Sequence, residues 1–500
     1  MPIKPDLLTL RTYPKTLWLI AVGLIIHGVF GGLLTLSVDE AHYALYAYWL
    51  DWSYFDHPPL VGWIQWPLVL SHQPDWVLRL VPEFLWLLAT LLAWQLAETL
   101  RNLIPNWAQT LQPGQAGHWA VLLILLAPVL HVLAVGLLPD TLLMVLILAL
   151  MQTTLKLSTQ PSVKWLDWVW LGVLLGLCGL SKYTSVLYAV SVIVFLCLNL
   201  GWRWLLQPGP WLAGFIALVL VSPVVFWNAT HDWISFQYQI AHSQGGQWRA
   251  YRIGAFIGLQ VVAFGPLVIV ALTRLFMALR TQRSKVLFGL ASFPLLPLLI
   301  TAVMAGGGRT LPHWMAPAWI AIIALAAPTL AITWQQGKRR LLAGFAWFQA
   351  ILCTLAFVGL FFIGVPGLSA QHPLHQKNPL ADLWGWEQAG QMAREIAEQN
   401  NLDTLSVRNW TLASRLAWYA KPLPVIVLDD RFDQFDLWYG DFSAGQDTLF
   451  VNWSQASYPA PVGDQLFETC ELTASFESMR FSRVVSNFEF LVCRNWQGQP

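Results

Sequence analysis

Residues 121–150 read VLLILLAPVLHVLAVGLLPDTLLMVLILAL. One carboxylate, Asp140, interrupts these apolar positions, and it follows a proline near the middle of the stretch. On either side of that Pro139-Asp140 turn the apolar run approaches or exceeds 18 residues, which as helix covers roughly 30 Å of hydrocarbon. A barrel strand would instead show about 10 residues of alternating polarity. Backbone groups find no water inside a bilayer, so uninterrupted runs of this length must bond internally as helices. The stretch therefore predicts two membrane spans, near 118–136 and 139–157, meeting at a short polar turn.

Outward from this pair, comparable runs recur at 17–36, 77–97, 165–181, 183–200, 210–228, 253–272, 286–303, 313–333 and 342–364, which makes eleven. The whole chain is 56% hydrophobic and 11% charged, against roughly 25% charged in an ordinary soluble domain. The fold class expected is an all-α polytopic membrane protein of about 11 to 13 transmembrane helices. Lys4, Arg11 and Lys15 precede the first run without a small-residue cleavage site, so it reads as an uncleaved helix. Many of the 30 Trp, among them Trp18, Trp63, Trp202, Trp204 and Trp314, fall near span ends, where amphipathic rings favour the contact between protein, membrane lipids and water. A net charge of +1 and the lack of a basic stripe interleaved with aromatics argue against a nucleic-acid partner.

Lys and Arg are retained on the cytoplasmic side of membrane proteins. With the N-terminus inside, fourteen of the 28 fall in inner segments; the short outer segments hold five, Arg79, Lys182, Arg249, Arg252 and Arg309, and nine belong to the tail. This orientation places the tail outside, with the loop 37–75, the Asp140 turn, the Lys182 turn, the 229–252 loop and the Gly306–His313 turn. Every unusual polar feature then shares one face.

The expected division is a transmembrane catalytic domain, 1–365, and an extracytoplasmic α/β domain, 366–500. The tail shows a helical stretch near 386–400 and strand-like runs, PVIVLD at 424–429 and DTLFVNW at 447–453. Cys470 and Cys493 share this tail and are candidates for a disulfide; Cys178, Cys197 and Cys353 sit in apolar spans.

The first loop concentrates the charge. VDEAHYALYAYWLDWSYFDHPPLVGW, residues 38–63, holds Asp39, Glu40, Asp51, Asp56, His42 and His57, where ionisable groups beside hydrocarbon are costly and usually functional. The bland alternative for Asp39 is an N-cap on the following helix. A divalent metal held by Asp39, Glu40, His42, Asp56 and His57 is chemically allowed, although the spacing matches no ligand pattern of known specificity. For Asp140 the competing reading is again an N-cap, and for Lys182 an ammonium snorkelling into water. Carboxylates opposite cations at an outer surface suit group transfer from a lipid phosphate: a carboxylate deprotonates the acceptor and cations stabilise the departing phosphate. The Gly306–Gly308 run lacks the Lys-Ser/Thr ending of a P-loop and gives no case for nucleotide binding.

Taken together, DEAHYALYAYWLDWSYFDHPP, PDTLL, GLSKYT, HDWISFQ, PHWMAPA and DRFDQFDLW resemble bacterial members of the dolichyl-phosphate-mannose-protein mannosyltransferase family, to which the lipid A aminoarabinose transferase is related. The resemblance implies the C-type glycosyltransferase fold, a polyprenyl-phosphate sugar donor, and an acceptor hydroxyl on a lipid, glycan or protein. It implies a catalytic role, as base, for Asp39, with Glu40 beside it, and a second acidic position at Asp140. Lys182, Arg309 and His313 are the candidates to hold donor phosphate, with Arg249, Arg252, His57 and Tyr43 as further binding residues. The Trp-Trp-Asp signature of oligosaccharyltransferases is absent. The expected site of action is the outer face of the bacterial inner membrane. Two other readings compete: a transporter or flippase for a polyprenyl-linked sugar, which needs polar groups along the depth of several helices, and a non-catalytic envelope assembly protein that only binds a lipid headgroup.

Overall fold

A computed structural model describes residues 7–160, 162–308, 310–363, 379–463 and 465–498. The chain forms two compact units: Met1–Val29, Trp52–Val61 and Arg79–Cys353 make the first, and Phe30–Asp51, Gly62–Leu78 and Thr354–Pro500 the second.

Among the described residues, eight helical runs are long and apolar enough to cross a membrane. Two further runs are bent pairs: Gln115–Leu125 with Pro128–Val135 at 76°, and Ala250–Phe264 with Pro266–Gln282 at 109°. Trp165–Ser181 is a shorter apolar helix of 17 residues. Each of the eleven expected apolar runs falls on one of these helical stretches: eight long helices, two bent pairs and the 17-residue helix Trp165–Ser181. Prolines at the first turn of the second helix break both bent pairs, since a proline lacks the N–H that continues a helix and its ring displaces the preceding turn. The chain is a multi-pass membrane protein.

Each break frees backbone groups that lipid cannot satisfy. One side chain serves both breaks. Gln349 Nε2 donates to the carbonyls of Leu126 at 3.1 Å and Phe264 at 3.3 Å, while its Oε1 accepts the Leu267 N–H. Gly265, at φ +86°, makes room: a Cβ there would lie 2.0 Å from Gln349 Nε2.

Small residues set a close helix contact. Gly172 and Gly176 of Trp165–Ser181 face Pro208–Thr230 so closely that a Cβ would lie 2.6 Å from the Ala213 carbonyl or from Leu220. Apolar side chains gain little by leaving lipid for one another, so close backbone approach between helices supplies the packing. Pro312–Gln335 is the most enclosed span, buried along almost its whole length.

The second unit contains a five-stranded sheet in the order β2-β1-β3-β5-β4, with β1 Leu405–Val407, β2 Val425–Val427, β3 Thr448–Trp453, β4 Phe467–Arg480 and β5 Arg483–Trp496. The pairs β1–β2 and β1–β3 are parallel, and β3–β5 and β4–β5 antiparallel. Helices Trp410–Tyr419 and Gln434–Tyr439 connect the parallel strands, as parallel neighbours require a crossover. The β4–β5 hairpin turns through Phe481 and Ser482, both at positive φ, the geometry of a two-residue turn that follows the strand twist. Cys470 and Cys493 sit directly opposite on β4 and β5 and are disulfide-bonded.

Candidate functional site

The first charged loop folds as helix Val38–Tyr48 within the second unit. Ser37, not Asp39, is its N-cap, and Glu40 completes a capping box: the Ser37 N–H and hydroxyl donate to Glu40 Oε2 at 3.0 and 2.9 Å. The sequence pattern Ser-x-x-Glu specifies this reciprocal bonding. Glu40 is thereby buried in a structural role, which leaves Asp39, half-buried on the same first turn, as the carboxylate not committed to the cap.

The tail sequence builds the surroundings of that turn. Asp382 Oδ2 accepts the Val38 N–H at 3.2 Å, the Tyr419 hydroxyl accepts the Leu36 N–H at 2.7 Å, and the Thr35 N–H donates to the Leu383 carbonyl at 3.1 Å. Arg415, 1% exposed, pairs with Asp382 and lies 4.0 and 4.7 Å from the rings of Trp386 and Trp453. Burial pushes this guanidinium well below its ordinary range, against the opposing influence of the Tyr419 and Asp39 charges. Asp39 therefore faces a field that includes a buried cation. Further along the helix, His42 Nδ1 lies 3.2 Å from the Ser414 hydroxyl, and its ring stands against those of Tyr46, Trp410 and Phe435. Tyr43 is buried, with its carbonyl accepting from Gln65 Nε2 at 2.8 Å. This helix buries its middle against the tail.

The first unit holds a second polar constellation. Asp140 opens helix Pro139–Thr159, and Lys182 caps the end of Trp165–Ser181. The ammonium lies 2.8 and 2.7 Å from the two Asp140 oxygens, with 7% of Lys182 and 2% of Asp140 exposed. Lys182 is thus buried on a carboxylate, which replaces the snorkelling alternative. His313 Nε2 is 4.0 Å from Asp140 Oδ2, and the Lys182 ammonium is 5.7 Å from the Trp314 ring centroid. Ser181 locks the turn by donating to the Pro139 carbonyl at 2.9 Å. An ion pair withdrawn from water costs more than it returns unless a fixed geometry or a function retains it.

Also within this unit, His57 is half-buried in the segment Trp52–Val61, whose Tyr54 and Asp56 carbonyls accept from Ser235 at 2.9 Å and Gln239 at 2.7 Å. Arg252 is spent on the glycine turn, donating to the Gly307 carbonyl at 2.9 Å and the Gln247 carbonyl at 3.1 Å. Arg249 has an exposed side chain and a main-chain N–H bonded to the Gly306 carbonyl at 2.7 Å. Arg309 lies outside the described residues. No group of three or more His, Cys, Asp or Glu among the described residues is placed to hold a metal ion, and Asp39, Glu40 and His42 belong to one unit while Asp56 and His57 belong to the other.

Sequence reading missed Asp382, Arg415 and Tyr419. Arg415 had a signal: it is the one cation in the helix WTLASRLAWY, residues 410–419.

Residues 56–227 match the dolichyl-phosphate-mannose-protein mannosyltransferase family. A lipid A galacturonosyltransferase, RgtD of Rhizobium johnstonii, is 26% identical over 320 residues, 60% of this chain and 62% of that one. The chain therefore spans about 62% of the length of this curated relative. ArnT from Cupriavidus metallidurans superposes in its apo state with a TM-score of 0.61 at 16% identity, covering 98% of this chain and 100% of ArnT. The same protein bound to undecaprenyl phosphate gives 0.62 at 15%, over 97% and 99%. Residues 56–227 are thus similar to the dolichyl-phosphate-mannose-protein mannosyltransferase family, and the chain as a whole shares the fold of ArnT.

Proposed function

We propose that the protein is a glycosyltransferase that moves a monosaccharide from a polyprenyl-phosphate donor to an acceptor hydroxyl at the outer face of the inner membrane, with the N-terminus cytoplasmic and the tail domain outside. Lipid A is the acceptor class that the 26% identical galacturonosyltransferase favours, and the ArnT complex with undecaprenyl phosphate favours the donor class. The observation that carries the catalytic assignment is the division of labour on the first turn of Val38–Tyr48: Glu40 closes the capping box and Asp39 does not.

In this reading Asp39 takes the proton of the acceptor hydroxyl as its oxygen attacks the anomeric carbon. The bond from that carbon to the phosphate oxygen breaks, the phosphate keeps the electron pair, and the anomeric configuration inverts. General-base assistance contributes about 10²–10⁴-fold. Within the first unit, Lys182, its ammonium held by Asp140, is a separate candidate to bind a lipid phosphate, with His313 beside the pair and Arg309 as a further candidate. The base is tested by supplying purified Asp39→Asn protein with a polyprenyl-phosphate sugar and lipid A. Transfer is expected to fall at least 100-fold with an unchanged melting curve, and turnover near that of the wild type would remove Asp39 from the role.

A further inference from the structure

The second unit contains a cavity of about 800 Å³ that the transfer chemistry leaves unused. Its lining combines aromatic faces, amides, carboxylates and two neighbouring cations. Lys421 stacks its ammonium 3.0 Å from the Trp418 ring centroid and 5.4 Å from that of Tyr48. Arg394 Nη1 donates to the Lys421 carbonyl at 3.1 Å, so the two cations share one stretch of wall. Asp75 Oδ1 accepts from Trp418 Nε1 at 3.1 Å and Oδ2 from the Tyr419 hydroxyl. Glu387, Gln388 and the 54%-exposed Trp76 also line the cavity.

Each component has a counterpart in a sugar phosphate. Aromatic faces cover the apolar C–H faces of a pyranose, while carboxylates and amides bond its hydroxyls. Adjacent Lys and Arg match a phosphate, with Arg able to bind two oxygens at once. Burial and the Arg394 charge lower the Lys421 ammonium to about 8, against the opposing pull of Asp75; an arriving anion relieves that repulsion. Asp75 and Glu387 would repel a phosphate placed against them, so the anion belongs at Arg394 and Lys421. The wall also leads to the proposed base: Tyr419, which lines the cavity, accepts the Leu36 N–H immediately before the cap of the Asp39 helix.

We infer that this cavity binds a phosphate-bearing sugar headgroup, and, resting on the transferase reading, that it is a docking site for the acceptor. The test uses full-length protein in phosphatidylcholine nanodiscs, titrated calorimetrically with glucosamine 1-phosphate, glucosamine or inorganic phosphate. Glucosamine 1-phosphate is expected to bind at least about tenfold more tightly than either fragment, and Arg394→Ala and Lys421→Gln each to weaken it about tenfold. Trp76→Ala, at an exposed position, is expected to weaken the sugar phosphate while leaving inorganic phosphate unaffected. Nanodiscs containing a phosphorylated glucosamine-disaccharide lipid distinguish the sources: competition identifies a lipid headgroup, and independence a soluble sugar phosphate. No binding by the wild type of either the free or the lipid-borne sugar phosphate, or binding by all three variants as tight as by the wild type, overturns the site. Asp39→Asn should bind normally without turnover. Binding by a wild type that transfers no sugar leaves the site standing and removes the transferase reading.

Discussion

At the scale of single residues, the two carboxylates of the Asp39-Glu40 pair have different work, and substitution separates them. Glu40→Ala removes one half of the capping box and is expected to cost about 0.5–2 kcal/mol, visible as a lower melting temperature, whereas Glu40→Gln keeps an acceptor and most of the stability. If Glu40→Gln instead abolishes turnover in a fully folded protein, the structural role assigned to Glu40 is insufficient. The Asp140–Lys182 pair gives the opposite pattern. Lys182→Met strands a carboxylate that is 2% exposed, an expected loss of about 3–5 kcal/mol. Adding Asp140→Asn should restore at least half of that stability and none of the activity. Chemical-denaturant titration together with transfer assays on the single and double variants decides it; recovery of activity in the double variant would show that the charge pair is only structural. The sequence displayed Asp140 and Lys182 as isolated charges in apolar runs, so both were legible as candidates. Their pairing was not, because 42 residues separate them and only the packing of two helices joins them.

At the scale of elements, hydrophobic length alone located every membrane run, because lipid imposes helix on any long apolar stretch. The two sharp bends were harder to read. Ala127-Pro128 and Gly265-Pro266 mark where an N–H is missing, but proline occurs at several other span positions, such as Pro223, Pro294 and Pro328, where the helix continues. Gln349 differs from a passive lining residue because it satisfies groups from both breaks. Gln349→Leu preserves much of the volume yet strands the Phe264 carbonyl and the Leu267 N–H, while the Leu126 carbonyl keeps the Cys353 thiol at 3.3 Å. At about 1–3 kcal/mol for a buried group left unsatisfied, the expected loss is about 2–5 kcal/mol, measured as reduced thermal stability in detergent or nanodiscs. Stability equal to the wild type would mean that the backbone at the bends finds other partners. The tail hairpin shows the complementary difficulty: its turn uses Phe481-Ser482 at positive φ, where Asn-Gly or Asp-Gly would have been the recognisable signal.

At the scale of the whole molecule, contacts between distant segments decide what the local patterns do. The strand-like runs PVIVLD and DTLFVNW become β2 and β3, but the sheet order depends on pairings that a linear reading leaves open. The same compact unit draws residues 30–51 and 62–78 to the tail, and Asp433 lies where these meet. Its carboxylate caps helix Gln434–Tyr439 by accepting the Phe435 N–H at 2.7 Å. Burial raises Asp433 to about 6; the Asp436 and Asp429 charges add to the rise, and the Phe435 N–H and His42 oppose it. The folded state therefore holds this proton more tightly than the unfolded chain, so the stabilising contribution is complete below about pH 4 and is lost as pH rises through about 6. Asp433→Asn keeps an oxygen for the cap and removes the charge. The variant should match the wild type near pH 4 and exceed it by about 1–3 kcal/mol at pH 7, read from melting curves of the full-length protein at both pH values. Equal stability at pH 7 would show that His42 and the cap already compensate the buried charge, and that the first loop and the tail are joined at this point without electrostatic cost.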